Sequence, residues 1–189
     1  MGFTKANEGG GVTFMKIKGL EKAAPAHYFE VGGEQIEGNK FSGSLIKAEP
    51  HSYEFEGNEK QTMKLTFIDS ENEKYQLDSS YNSISRNLIN SLLGYIKANE
   101  EESGINVELS LYIDKKGYKS LGLLVNGERA PWLYSYEEQQ ALIERITNKK
   151  GEFISSDYSA YDDKLKEGLA TIDAFVKKGQ PVSIHDMPF

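Results

Sequence analysis

The sequence predicts a mainly β fold with a helical extension, on the evidence of three observations. Between Asn39 and Val125 the chain reads strand, strand, strand, helix, strand, strand. Apolar residues alternate along the predicted strands, whereas in the inserted segment they recur at helical spacing. Turn-forming residues separate the strands at hairpin lengths. Because this is the element order of an OB-fold, we expect a five-stranded OB-fold barrel (β-β-β-α-β-β) followed by C-terminal helices.

The first predicted barrel strand is long and bent. Residues 41–48 and 52–55 are strand-like and flank Pro50, which a strand tolerates only at an edge or a bulge. We therefore expect the bend at the proline. Before this strand, residues 12–20 alternate loosely and fit either a short added strand or a partner-binding arm, and residues 27–31 fit another short strand.

The second and third predicted strands, residues 62–68 and 74–78, form a hairpin. Asn72 ends a three-residue loop and suits the left-handed backbone that such loops need. The parity sets Leu65 opposite Leu77 and Phe67 opposite Tyr75 on the inner face. The outer face then carries Thr62, Lys64, Thr66, Lys74 and Gln76.

A helix is predicted at about residues 84–98, capped by Asn82 or Ser83. Its apolar residues share one face, which we interpret as core, and they are Ile84, Leu88, Leu92, Tyr95 and Ile96.

The last two predicted barrel strands, residues 105–113 and 118–125, form a second hairpin. Every second residue of the first strand is apolar and is expected to point inward: Ile105, Val107, Leu109, Leu111 and Ile113. On the second strand the inward residues are Leu121, Leu123 and Val125. A loop of residues 115–117 ends in glycine, where a positive φ is needed.

Beyond the barrel, helices are predicted at about residues 136–147 and 157–178. The second has an apolar stripe from Tyr158 to Val176, and Gly179 with Pro181 ends it. The expected organisation is a flexible arm (residues 1–26), an OB-fold core (27–125), a helical extension (126–179) and an exposed protein-recruiting tail (180–189). Trp132 follows a proline in a loop, and we interpret it as a cover of the barrel rather than a stacking platform.

Composition excludes several classes of protein. The 189 residues include no cysteine, so disulfides, thiolate zinc sites and cysteine nucleophiles are excluded. The three histidines match no metal-ligand spacing, and no segment reads as a signal peptide or membrane span. We expect a soluble, cytoplasmic protein without a cofactor. The net charge of −7 argues against a simple basic duplex-binding protein, so a nucleic-acid surface would be a local basic groove aided by stacking.

Sequence motifs of catalysis are absent, so we expect no enzyme. The chain has no GxSxG, HExxH or GxGxxG pattern, and residues 33–40 only superficially resemble a phosphate-binding loop. The pair Asp162 and Asp163 lies on a predicted helix without a nearby histidine. Such pairs are usually a solvated face rather than a metal site.

Exposed aromatic rings beside lysines are the candidate binding features. Tyr112 and Tyr118 share the outer face of the second hairpin as diagonal neighbours, with Lys115, Lys116 and Lys119 around them. Such rings stack on any base, although tyrosine also packs well in sheets without a ligand. Further candidates are Lys64 and Lys74 for phosphates, and Tyr53 and Phe55, whose pattern is more typical of core.

The last four residues, Asp186, Met187, Pro188 and Phe189, resemble the Asp-Ile-Pro-Phe ending of bacterial single-stranded DNA-binding proteins. Phage counterparts also end in an acidic, Phe-terminated tail. The resemblance implies that these residues recruit replication, recombination and repair proteins, with the phenylalanine in an apolar pocket and the carboxylates on basic residues. This chain has fewer acidic residues at the tip and lacks the long Gly-rich linker, so it looks more like a phage-type protein.

Together these observations favour a protein that coats single-stranded DNA without sequence preference, in the host cytoplasm if it is phage-encoded. Two alternatives stay open from the sequence. One is a phage structural or assembly protein that uses the barrel and helices as protein interfaces, and a homo-oligomer is compatible with it. The other is an oligosaccharide-binding OB module.

Overall fold

A computed structural model describes residues 11–19, 27–36 and 40–178 of the chain. The elements within these ranges are, in order, β1 (Val12–Lys18), β2 (Tyr28–Val31), β3 (Glu34–Gln35), β4 (Lys40–Phe55), β5 (Asn58–Ile68), β6 (Lys74–Ser80), α1 (Ser83–Ala98), β7 (Ile105–Ile113), β8 (Lys119–Val125), β9 (Glu128–Arg129), α2 (Tyr136–Leu142), β10 (Glu144–Thr147), β11 (Phe153–Asp157) and α3 (Ser159–Lys178).

Nine strands form one mixed, open sheet in the order β3-β2-β1-β6-β5-β4-β7-β8-β9. The prediction of a five-stranded OB-fold barrel is therefore wrong. The reason lies at β6, which pairs in parallel with β1, so that Val12 stands opposite Lys74 and Met15 opposite Leu77. Since β1 occupies the outer edge of β6, that edge cannot close a ring with β8.

Two side-chain hydrogen bonds connect the β1–β2 end of the sheet with β8. His27 Nε2 lies 2.9 Å from the carbonyl oxygen of Ser120, and Lys119 Nζ donates to the carbonyl oxygen of Gly19 at 2.6 Å. Four strands separate β1 from β8 in the sheet order. The sheet is therefore strongly curved, and its concave face holds the core.

β4 is one long strand, as predicted, but its irregularity is not at the proline. The register with β5 shifts between Leu45 and Lys47, whereas Pro50 stays in register with Met63. β7 pairs with β4 only from Lys40 to Leu45. At Pro50, β4 therefore pairs with β5 alone. Because no strand lies on its other side there, the N–H that proline lacks breaks no hydrogen bond to a second neighbour.

The β5–β6 hairpin has the predicted register and turn. Leu65 pairs with Leu77 and Phe67 with Tyr75, and Asn72 has a φ of 64°. The predicted outer face is less exposed than expected, because Thr62 and Thr66 are buried. Around Thr62 the cover includes Tyr81 and, from α3, Lys166, which line the same surface depression.

α1 begins at the predicted cap and buries the predicted stripe. Asn82 Oδ1 accepts from the backbone N–H groups of Ile84 and Ser85, and the Ser85 hydroxyl accepts from the Asn82 N–H. Such a reciprocal cap satisfies donors that the first helical turn leaves free. The predicted stripe is buried throughout, with Ile84, Leu88, Leu92, Tyr95 and Ile96 each at most 7% exposed.

β7 spans the predicted residues and β8 starts one residue later than predicted. The four inward positions from Ile105 to Leu111 are buried, but Ile113 is 51% exposed. Ile113 pairs with Lys119 in the last rung of the ladder, beyond the core. Gly117 has the expected positive φ, 83°.

The predicted helix at residues 136–147 is wrong in its second half. α2 ends at Leu142, and Glu144–Thr147 forms a strand that pairs with Phe153–Asp157 in a separate two-stranded sheet. The turn between them is held by Asn148, whose Oδ1 accepts from the N–H groups of Lys150 and Glu152. Local turn chemistry and β-branched Ile146 and Thr147 outweigh helical propensity here.

α3 shares the core of the sheet. Its buried side chains, such as Leu165, Leu169 and Ile172, belong to the same cluster as β4 and α1 residues. Arg86 on α1 ties the start of α3, because its Nε and Nη2 donate to the Asp162 carboxylate at 2.7 and 2.9 Å. Asp162 is thus held in a half-buried ion pair rather than on a solvated face. The division of the chain at residue 125 stays a prediction.

Two general features complete the fold. In the parts of the chain that the structure describes, no helix combines the length and the apolar character that crossing a bilayer requires. The same residues hold no group of three or more histidine, aspartate or glutamate side chains suited to a metal ion.

Candidate nucleic-acid interface

The β7–β8 hairpin presents the two predicted tyrosines to solvent. Tyr112 is 47% exposed and Tyr118 is 67% exposed. Tyr112 pairs with Ser120, so Tyr118 is its diagonal neighbour. Gly122 makes room for the Tyr112 ring, since a Cβ at residue 122 would lie 3.4 Å from Tyr112 Cε1. We call residues 112–120 the basic hairpin.

The turn of the basic hairpin is fixed by its own aspartate. Asp114 Oδ1 accepts from the backbone N–H groups of Lys116 and Tyr118, both at 2.8 Å. The carboxylate is therefore directed at the backbone, while Lys115 and Lys116 stand exposed at the tip. Lys119 is half-buried, and its ammonium group donates to Gly19.

A groove of about 780 Å³ separates the basic hairpin from the start of α1. A second depression of about 250 Å³ continues from it, because both include Asn87 and Ser120. The aromatic and cationic side chains along the two are Lys116, Tyr118, Lys119, Tyr112, Arg129 and Trp132.

The prediction that Trp132 covers the barrel is wrong. Its side chain is 46% exposed and lines the second depression. Its loop is fastened to α1 by the buried Asn90, whose side chain donates to the Tyr134 carbonyl and accepts from the Tyr134 N–H at 3.0 and 2.8 Å. Gly94 permits the close approach, since a Cβ there would lie 2.1 Å from the Pro131 oxygen. The indole is thus held on a fixed loop opposite the hairpin.

Arg129 is a second residue that the sequence analysis missed. It lies on β9, which pairs with the end of β8. The signal was present, because Asn126 and Gly127 form a two-residue turn with φ of 49° and 85°. An Asn-Gly pair after a strand is a strong indication of a tight hairpin and therefore of a further strand.

The charge of the groove is opposite to that of the whole chain. Its lining includes three cations, Lys116, Lys119 and Arg129, and no carboxylate among the residues that the structure describes there. The nearest carboxylate of the hairpin, Asp114, is occupied by backbone N–H groups. A local basic surface therefore exists on a chain of net charge −7.

Lys64 and Lys74 are not brought together with this groove. They lie on β5 and β6, which β4 and β7 separate from β8 in the sheet. In the ladders, Lys64 stands opposite Glu49 and Asp78, so acidic side chains flank it on both sides. Lys74 is exposed at the start of β6.

Tyr53 and Phe55 are exposed rather than core, at 46% and 53%. They lie on a two-stranded projection, residues 52–61, formed by the end of β4 and the start of β5. We call it the acidic ribbon, because it has three glutamates and one lysine. It lies apart from the groove and does not line it.

The predicted tail residues, Asp186, Met187, Pro188 and Phe189, lie outside the described residues. Comparison of the chain with protein-family models, with curated proteins and with solved structures gave no match.

Proposed function

We propose that this protein binds single-stranded DNA without sequence preference, along the groove between the basic hairpin and α1. The observation that carries the proposal is the combination of three exposed rings with two exposed cations, Lys116 and Arg129, and no carboxylate in the described lining. Unpaired bases stack on Tyr118, Tyr112 and Trp132, while phosphates contact Lys116 and Arg129.

The geometry favours a single strand over a duplex. Stacking requires the face of a base, and in a duplex each face is already covered by its neighbours. Each base–ring contact contributes about 1–3 kcal/mol by alanine substitution, irrespective of which base it is. Three such contacts would support binding although the net charge of −7 opposes long-range attraction. The expected role is to coat and protect exposed strands during replication, recombination or repair.

The test is binding of the purified chain to labelled oligo-dT and to a duplex of equal length, each over a range of salt. We expect strand-selective binding whose log affinity falls with log salt by a slope of about −1.4, because two phosphate contacts to a single strand, from Lys116 and Arg129, each contribute about −0.7. Equal affinity for the duplex, or no binding at low salt, would contradict the proposal. The latter would favour the assembly-protein alternative.

The recruiting tail is a separate part of the proposal. Removal of residues 187–189 should leave oligo-dT affinity unchanged and abolish capture of replication proteins, because the terminal phenylalanine and carboxylate are the groups a partner pocket would bind. Loss of DNA binding in this truncated chain would contradict the recruiting role.

A further inference from the structure

The acidic ribbon is an unsupported pair of strands. β6 pairs with β5 only from Thr62 onwards, and β7 pairs with β4 only up to Leu45. Residues 52–61 therefore hydrogen-bond to each other alone, and all of them are exposed. An isolated two-stranded ribbon is marginally stable in water. Tyr53 and Phe55 alternate with Glu54, so both rings share one face.

The ribbon also places two like charges together. Glu54 pairs directly with Glu59 across the ladder. Carboxylates in directly opposite positions repel and destabilise a strand pair. Among the residues that the structure describes, neither carboxylate has an ion-pair partner. A cation placed between them would relieve this repulsion.

The β10–β11 hairpin has the complementary properties. It is a two-stranded sheet separate from the main sheet, and Ile146, Phe153 and Ile154 are 40%, 54% and 60% exposed. Its tip presents Lys149 and Lys150, both exposed, whereas the one carboxylate of the turn, Glu152, accepts a hydrogen bond from the Asn148 side chain at 2.6 Å. The Arg145 guanidinium lies 5.2 Å from the centre of the Phe153 ring, so a cation accompanies this exposed ring.

We propose that the β10–β11 hairpin of one molecule docks on the acidic ribbon of a second copy of this chain. Ile154 and Phe153 cover the rings of Tyr53 and Phe55, and the lysines of the tip approach the carboxylates. Because the two surfaces differ, the contact is heterologous. A pair of molecules joined in this way still has one unoccupied acidic ribbon and one unoccupied β10–β11 hairpin. Such a contact extends into a row of molecules unless its rotation closes a ring. It requires no DNA and is independent of the proposed function.

A charge exchange tests this contact. The full-length chain is studied without nucleic acid by sedimentation velocity over a range of concentrations at low salt. The wild type should associate as concentration rises. The double variants Glu54→Lys with Glu59→Lys, and Lys149→Glu with Lys150→Glu, should each associate at least about tenfold more weakly, because each then presents like charges to itself. An equimolar mixture of the two variants should regain association, since each supplies the surface that the other has lost.

The control is Glu100→Lys with Glu101→Lys, at exposed positions after α1. It changes the net charge by the same amount as the ribbon variant Glu54→Lys with Glu59→Lys. This variant should associate as the wild type does. A monomeric wild type, a ribbon variant that associates normally, a mixture no better than its components, or a control that also dissociates would each overturn the proposal. Oligo-dT affinity measured on a one-molecule length of strand distinguishes this outcome from failure of the proposed function.

Discussion

The basic hairpin and the acidic ribbon are built alike and differ in charge. Each is the end of an antiparallel pair of strands that exposes two aromatic rings at similar fractions. The basic hairpin has three lysines and one aspartate, and that aspartate is bound to backbone N–H groups. The acidic ribbon has three glutamates around its rings. The glutamates of the acidic ribbon would repel phosphates, although its rings are exposed. Exposed rings alone therefore do not identify a surface for nucleic acid.

The second difference is the surroundings. The basic hairpin faces α1 and the Trp132 loop across a groove, so that a strand laid there would meet walls on both sides. The ribbon projects from the sheet, and only its base, at Ser52, Glu59 and Gln61, lines a depression together with Tyr81 and Lys166. A flat ligand such as a base gains from a groove, whereas a projecting ribbon suits a protein partner that supplies the other wall.

The largest effect is expected from removing the rings. Tyr112→Ala with Tyr118→Ala should weaken oligo-dT binding by about 2 kcal/mol or more, because two stacking contacts are lost. Tyr53→Ala with Phe55→Ala should leave the affinity unchanged. Fluorescence anisotropy with a labelled oligonucleotide at one fixed salt concentration measures both. Equal losses in the two double variants would show that the charge difference between the regions is irrelevant.

The wall of the groove can be displaced through Gly94. A Cβ at this residue would lie 2.1 Å from the Pro131 oxygen, so Gly94→Ala should lower the free energy of unfolding by about 1–3 kcal/mol and shift Trp132. Urea denaturation measures the stability, and Trp132 emission reports the shift. Lys97→Ala, at an exposed position of the same helix, is the control and should change stability by less than about 0.5 kcal/mol. An unchanged stability in the glycine variant would mean that the loop is not fastened there.

Charge in the groove should appear in the salt dependence. Lys116→Gln with Arg129→Gln should make the slope of log affinity against log salt shallower by about 1.4, because two phosphate contacts to a single strand are lost. Lys60→Gln on the acidic ribbon removes a lysine outside the groove and should leave the slope unchanged. Affinities at four or more salt concentrations are sufficient. A shallower slope with the ribbon variant would extend the interface to that region.

The smallest effect concerns a ring that is inside the protein. Burial raises the pKa of Tyr161 from 10.0 to about 12, against a lowering by Arg86. Because the folded pKa lies above the unfolded one, the stability associated with Tyr161 is complete below pH 10 and is lost as pH rises towards 12. The hydroxyl has no hydrogen-bond partner among the described residues, so Tyr161→Phe should change stability at pH 7 by no more than about 1 kcal/mol and should flatten the loss at alkaline pH. Urea denaturation at pH 7 and pH 11 is the measurement, and a steeper alkaline loss in the variant would contradict it.

The candidate site was predictable in part. The period of two in β7 and the glycine of its turn were enough to place Tyr112 and Tyr118 on an exposed hairpin beside lysines. Trp132 could not be assigned in the same way, because it reaches the groove through the Asn90 contacts, which join residues distant in sequence. Arg129 was predictable, because the Asn126-Gly127 turn indicates the short strand on which it lies. The prediction that Tyr53 and Phe55 belong to the core was wrong for a related reason. Alternation shows which residues share a face of a strand, but not whether another element covers that face.

The sequence by itself determined the local structure: the long β4, the capped α1, the turns at Asn72 and Gly117, and the side of each strand that is apolar. These depend on backbone preference and on the periods of 2 and 3.6, which act within a few residues. Only the tertiary structure decided that β1 occupies the edge of β6 and keeps the sheet open, and that residues 144–147 pair as a strand. Distant segments compete for the same backbone hydrogen bonds, and this competition decides which strands pair. The hydrophobic pattern within each segment does not determine the outcome.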